Sequence, residues 1–337
     1  MLLLHFIVMK PGFFKSKSIR GTNYDSLTFG KINKNHMEQP RRVYQIDSFT
    51  KEKFKGNPAG VVVNADGLND TQMQLIAREL NNSETAFIFS PDDDKCDGVI
   101  RYFTPKTEVP ICGHATIAAM YAKAIEENLD SGILNMKTKI GILPFEVIKK
   151  DGDYEVIMTQ GKFELDDPLD NPTTDRLLTA LGLNLSDIEQ RCPVQIASTG
   201  HSKVMIGIKT RDKLNGLNPN YEELTTLSKH IGCNGYFVFT FDSDDKEILT
   251  YGRMFAPAIG INEDPVTGNA NGPLGGYLIE NRIVGSGQLL FEFNGRQGEK
   301  INRLGVVKVK VTIDNHKPSL IQIRGHATVV FKTEIRI

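Results

Sequence analysis

The chain has 337 residues, 40% hydrophobic and 24% charged, which is enough for two domains with sizeable cores. Its formal net charge of −1 excludes the broad basic field that nucleic acid or an anionic membrane surface would need. No apolar run reaches the roughly 18 residues of a membrane span, so neither nucleic acid nor membrane is expected as a partner.

Residues 1–40 differ from the rest of the chain. Leu2 to Met9 is apolar, but no basic residue precedes it as in a secretory signal. Lys10, Lys15, Lys17 and Arg20 come next, with no acid before Asp25. The segment reads as a disordered extension, with an organellar presequence as the alternative. The four cysteines, Cys96, Cys112, Cys192 and Cys233, form no C-x-x-C pair and read as free thiols of a reducing, cytoplasmic compartment.

Regular structure begins near Arg42, where Val43 to Phe49 alternates like a strand. The turn cluster Lys55-Gly56-Asn57-Pro58-Ala59-Gly60 leads into a buried strand, Val61-Val62-Val63. Asn69-Asp70 suits the cap of a helix with Met73, Ile76, Ala77 and Leu80 on its apolar face. Ser83 to Ser90 and Val99 to Phe103 read as strands, and Asp92-Asp93-Asp94-Lys95 as a solvated turn. Pro110-Ile111-Cys112-Gly113-His114-Ala115 then turns a glycine corner into a long helix, whose first N–H groups form an anion site. Strand-like runs come after it at 134–138, 142–148 and 154–158. Residues 163–175, with Asp166-Asp167-Pro168 and Asn171-Pro172, read as a linker, and 174–183 as a short helix.

From Pro193 the first half repeats. Gln45-Ile46-Asp47-Ser48 matches Gln195-Ile196-Ala197-Ser198, 150 positions later. The strand opening at Glu84 matches one opening at Asn234, and Arg101-Tyr102-Phe103 matches Arg253-Met254-Phe255. Cys112-Gly113-His114-Ala115 matches Thr267-Gly268-Asn269-Ala270. A period this long means a duplicated domain. The expected organisation is α+β, with an extension over 1–40, a first domain over 41–160, a linker region over 161–191 and a second domain over 192–337. The last strand-like run closes a sheet, and a return to the first domain is one option. Two like domains bring two Gly-initiated helix starts to a shared cleft, which suits a carboxylate or another oxyanion.

The halves differ in their ionisable groups. Glu84 faces Asn234 in the repeat, His114 faces Asn269, and Glu263-Asp264 occurs only in the second half. Beside the apolar run Ala86 to Phe89, Glu84 would lose hydration and its pKa would rise, which suits a group that takes and returns a proton. A surface carboxylate at a strand end is the competing reading. Asp264 reads either as a site acid or as a first-turn acid of its helix. His114 sits where a helix dipole disfavours imidazolium, which makes it poor as a purely structural residue. Cys112 reads as a thiolate base or as inert core, and Thr267 opposite leaves no thiol pair. No H-E-x-x-H, clustered Cys/His spacing, phosphate-binding loop or G-x-S-x-G elbow occurs, so no metal or cofactor is expected. His201 and His326 have no partner pattern and read as structural.

At these residues the chain resembles the phenazine biosynthesis isomerase-like family, which has the diaminopimelate epimerase-like fold. The resemblance covers about Arg42 to Phe331. It rests on Asp47-Ser48-Phe49, Gly56-Asn57-Pro58-Ala59-Gly60, Ser83-Glu84-Thr85-Ala86-Phe87 and Cys112-Gly113-His114-Ala115-Thr116, then on Glu263-Asp264-Pro265-Val266-Thr267-Gly268 and Gln297-Gly298. It implies two similar domains, each a sheet wrapped around a central helix, with the site between them. It implies Glu84 as the catalytic glutamate, with His114 and Asp264 as its polar partners. Gly113 and Gly268 would bind substrate through their backbone amides, and Ala115, Asn269 and Ala270 fall in the same substrate-binding strings. The family's best-known activity is a cofactor-free proton shift on a small cyclic hydroxy-amino acid. The family usually has Ser where this chain has Asn269, which sets the phenazine precursor apart but keeps the proton-transfer class. Thr267 removes the two-thiol mechanism of the racemases of this fold. The expected function is a cofactor-independent isomerase acting on a small carboxylate-bearing metabolite, and a homodimer is compatible with it. The alternative is a catalytically silent relative that binds a metabolite or a protein.

Overall fold

The computed structural model describes residues 40–285 and 288–337. The extension expected before residue 40 lies outside them. The first half runs β1 (Pro40–Ser48), β2 (Asn57–Val62), α1 (Asp70–Leu80), β3 (Thr85–Phe89), β4 (Gly98–Phe103), β5 (Glu108–Val109), α2 (Gly113–Glu127), β6 (Gly132–Thr138), β7 (Gly141–Lys150) and β8 (Asp153–Thr159). The second runs β9 (Glu164–Pro168), α3 (Asn171–Leu181), β10 (Gln195–Ser198), β11 (Lys203–Ile208), α4 (Arg211–Gly216), α5 (Tyr221–Ile231), β12 (Tyr236–Thr240), β13 (Thr250–Ala256), β14 (Ile261–Asp264), α6 (Gly268–Glu280), β15 (Leu290–Gln297), β16 (Gly305–Asp314) and β17 (Lys317–Arg336).

Local chemistry explains several boundaries. Asn69 caps α1 by accepting from the Gln72 amide while the Gln72 side chain reaches back, and Asn81 closes the helix in the left-handed region. Eleven of the 15 residues of α2 are buried, and its small face of Ala115, Ala118, Ala119 and Ala122 lets strands approach from all sides. In α6 the same closeness is reached with glycine. A Cβ on Gly275 would lie 2.7 Å from Val311, and one on Gly276 2.4 Å from Phe163.

Strand pairing repeats between the halves. β2 runs parallel to β3 and β11 to β12, while β3–β4 and β12–β13 are antiparallel. β4–β6 and β13–β15 are parallel, and β6–β7 and β15–β16 are antiparallel. In the first half β1, β2, β3, β4, β6, β7, β8 and β17 close on themselves through β8–β17 and β17–β1, which makes a barrel around α2. The second half wraps a corresponding sheet around α6. This is the α+β, duplicated, epimerase-like architecture expected from the sequence.

The 20-residue strand β17 serves both lobes. Its beginning pairs with β16 and β8, and Ala327 to Arg336 pairs with β1, so the chain end returns to the first lobe. One expectation fails here. Residues 163–175 are not a linker: β9 pairs with β10, and Asp170 caps α3, whose start contains Pro172. The acids and prolines that suggested a loop are an edge strand and a helix start. Leu177, Leu178 and Leu181 of α3 then join a second-lobe core with Val204, Ile206 and Leu224.

Candidate active site

Both central helices begin without a side-chain cap. Cys112 and Thr267 take the N-cap position in extended geometry, and neither side chain bonds its own helix start. The amides of Gly113, His114, Gly268 and Asn269 have no protein acceptor among the described residues. The two starts face each other closely, since a Cβ on Gly113 would lie 3.4 Å from Asn269 Oδ1. Four free amides and two helix dipoles thus converge on one spot, an arrangement suited to an anion. They line a cavity of about 330 Å3 between the lobes, near the small end of the roughly 300–1,000 Å3 range of ligand pockets.

Glu84 and His114 meet on the first-lobe wall. The strand β3 positions Glu84 just ahead of its first residue, and α2 positions His114 at its second. Glu84 Oε2 lies 3.4 Å from His114 Nε2, with the imidazole 8% and the carboxylate 15% exposed. Ser83 Oγ also lies 3.2 Å from Nε2, and Cys112 Sγ 3.4 Å from Nδ1. The His114 carbonyl accepts from Ser48 Oγ at 2.7 Å, which pins the helix start to β1. The imidazole is therefore held on both ring nitrogens beside a carboxylate, as a proton-transfer pair requires.

Asp264 stands on the opposite wall and is 7% exposed. Asn57, from the first lobe, donates to Oδ1 at 2.8 Å and to the Val266 carbonyl at 2.8 Å, while Thr267 Oγ1 donates to Oδ2. Burial raises the Asp264 carboxyl above its ordinary 3.8, against the charge of His114 and the hydrogen bonds from Thr267 and Asn57. Gln297 holds the corner together. Its amide donates to the Asp264 carbonyl at 2.8 Å and to Thr267 Oγ1 at 3.1 Å, and its oxygen accepts from the Thr267 amide at 3.1 Å.

The structure brings together Glu84, His114, Asp264, Gly113, Gly268 and Asn269. It does not bring Ala115 or Ala270 to the cavity. Both are fully buried, and the Ala270 amide bonds the Thr267 carbonyl at 3.2 Å. α6 satisfies its own amides from this third residue, and α2 from Thr116, whose amide bonds the Cys112 carbonyl at 3.0 Å. The Asn269 carboxamide oxygen accepts from Gln160 Nε2 at 3.1 Å, and its own side-chain N–H donors keep no partner among the described residues. Burial, with Glu84 nearby, pushes the Cys112 thiol well above its usual range, which opposes the thiolate-base reading. His201, expected to be structural, is exposed and lines the cavity beside Lys203 and Asn234. Sequence reasoning assigned no role to Asn57 or Gln297, although both stand in strings typical of the family, and it missed Gln160 and Lys203 entirely. The only signal for Lys203 was a cation directly ahead of the apolar run Val204-Met205-Ile206.

Glu84, Cys112 and His114 offer donor atoms within 4.8 Å of one another. A metal there would need the Cys112 thiolate, which burial opposes. Asp92, Asp93 and Cys96 form the second such group, on the surface turn away from the cavity. Among the described residues no helix is long and apolar enough to cross a membrane.

Comparison with known proteins shows which family the chain resembles over nearly all of its described length. The sequence profile of the phenazine biosynthesis-like protein family covers residues 46–333. An uncharacterised isomerase of Clostridium acetobutylicum is 58% identical over 293 residues, 87% of this chain and 97% of its own. Trans-2,3-dihydro-3-hydroxyanthranilate isomerase of Pseudomonas aeruginosa is 30% identical over 286 residues, 85% of this chain and 95% of its own. The crystal structure of a Bacillus anthracis phenazine biosynthesis protein superposes with a TM-score of 0.80 at 31% identity, covering 89% of this chain and all of that one. The chain belongs to the phenazine biosynthesis-like family and is an isomerase of that type.

Proposed function

We propose that the protein is a cofactor-independent isomerase of a small carboxylate-bearing metabolite. Glu84 removes a proton from a carbon and returns one at another position of the same molecule, so no net oxidation occurs and no redox cofactor is required. The amides of Gly113, His114, Gly268 and Asn269 hold the carboxylate. His114 orients Glu84 and shares its proton, while Asp264 orients the substrate from the opposite wall. The observation that carries this reading is the Glu84–His114 pair at 3.4 Å beside two facing, uncapped helix starts. The named activity of the 30% identical relative, an isomerase, supports the reaction class. Asn269, with free N–H donors and no hydroxyl, favours a substrate that accepts a hydrogen bond there. Four free, buried cysteines suit the reducing cytoplasm.

Incorporation of solvent deuterium into candidate carboxylates is the direct test. Glu84→Gln should slow exchange by about 10²–10⁴-fold, the usual worth of general acid–base catalysis. Exchange by Glu84→Gln at the parent rate would sink the assignment. A metabolite that raises the melting temperature with no exchange would instead support a silent binding module.

A further inference from the structure

We propose that Lys203 anchors a second carboxylate of the substrate, so that the cleft takes a small dicarboxylate rather than a monocarboxylate. This substrate class rests on the carboxylate-metabolite reading and narrows it.

Lys203 opens β11 and lines the same cavity as the two helix starts. Several other partly buried cations of the chain meet a carboxylate: Arg253 meets Glu263, Arg303 meets Asp47 and Lys308 meets Glu155. Lys203 has no carboxylate within 4.0 Å among the described residues. Its ammonium donates only to the carbonyls of Ser202 at 3.0 Å and His201 at 3.5 Å, which leaves one N–H free. A cation drawn out of water without a counter-charge is costly, so one that faces a ligand cavity is best completed by an anion.

The position is built rather than incidental. The lysine stem lies across Gly235, where any Cβ would come 2.3 Å from Lys203 Cδ and 2.8 Å from Cε. In the repeat, Asn234-Gly235 corresponds to Glu84-Thr85. The second lobe therefore replaces the carboxylate with a neutral amide and the next side chain with none, and the room is taken by a cation. Burial lowers the ammonium pKa while the charge of Asp264 raises it, the balance expected of a desolvated cation near the substrate. A single free N–H matches one carboxylate oxygen better than a phosphate, which would recruit several donors.

The test uses succinate, glutarate and adipate against butyrate, valerate and caproate, with binding to the full chain read by calorimetry and thermal shift. Wild type should bind the best dicarboxylate at least tenfold more tightly than its monocarboxylate match, as expected for one charge-assisted contact in a low-dielectric site. Lys203→Met should abolish that preference while weakening monocarboxylate binding far less than dicarboxylate binding, which a merely structural role would not do. Lys203→Arg should keep the preference, and Lys203→Gln serves if the methionine variant does not fold. Equal affinities in wild type, no dicarboxylate binding by wild type, or a preference that survives loss of the charge would each overturn the proposal. Deuterium exchange measured in parallel separates the two readings. Dicarboxylate preference without exchange removes the isomerase and leaves this anchor; exchange with no preference does the reverse.

Discussion

The starts of α2 and α6 occupy equivalent places in a duplicated frame, yet they are finished differently. At α2 the cap residue is Cys112, whose sulfur touches the ring of His114. At α6 it is Thr267, whose hydroxyl donates to Asp264 and whose amide is held by Gln297. Both leave their first amides free for a ligand. The first end carries the paired Glu84 and His114, proposed to transfer the proton; the second carries a braced carboxylate, Asp264, and an amide, Asn269. Duplication supplied an uncapped helix start twice, and in the proposed mechanism divergence at a few side chains assigns the chemistry to one side. On that proposal a symmetric backbone holds the charge of a ligand, while asymmetric side chains decide where its protons move.

That asymmetry is open to direct attack. The largest expected effect is on the first lobe: Glu84→Gln should cost about 10²–10⁴ in rate, while Asn234→Ala at the equivalent place should cost far less. Equal losses at both positions, measured by solvent deuterium incorporation, would mean that the lobes share the chemistry.

Next comes the brace on Asp264. Thr267→Val removes a hydrogen bond from a buried carboxylate and should cost about 1–3 kcal/mol of stability, measured by denaturant unfolding. Cys112→Ala at the matching cap should cost less, because a sulfur is the weaker partner. The reverse order would show that the first cap, and not the second, holds the cleft together.

A smaller effect concerns pH. Asp264 titrates above its ordinary 3.8 because burial outweighs the groups that favour its ionised form. Activity that needs the charged carboxylate is present above that pKa and is lost as pH falls through it. Removing the donor with Asn57→Ala or Thr267→Val disfavours the ionised form further, so the acid limb of the pH–rate profile should move to higher pH. A limb that stays in place or moves to lower pH would contradict the role given to these donors.

The smallest effect is expected at Cys112. Burial pushes its thiol well above the usual range, so Cys112→Ser should leave the rate near that of the parent and should leave the alkaline side of the profile unchanged. A large loss would restore the thiolate mechanism that the Thr267 counterpart argues against.

Much of this molecule is a local matter. The capping box at Asn69, the glycine corners at Gly113 and Gly268, the strands through Phe87 and Phe239 and the repeat itself derive from spacing and residue type. These act over one or two turns of chain and are fully written in the order of residues. The ionisable residues that differ between the halves, Glu84, His114 and Asp264, were visible for the same reason. Tertiary structure alone decided which of them share a cavity. Closure of the first barrel by β17 seats Ala327 to Arg336 against β1. Asn57 reaches Asp264 across 207 positions of sequence. The segment over 163–175 is a strand because β10 is there to pair with it. Lys203 and His201 joined the site because β11 lies beside β12, so that a residue with no local motif ends at the wall of the cleft. Local backbone and capping energies are set by neighbours in sequence, whereas desolvation and charge pairing are set by neighbours in space. The sequence therefore determined where each lobe could bind an anion, and the packing of the two lobes determined which charges would face it.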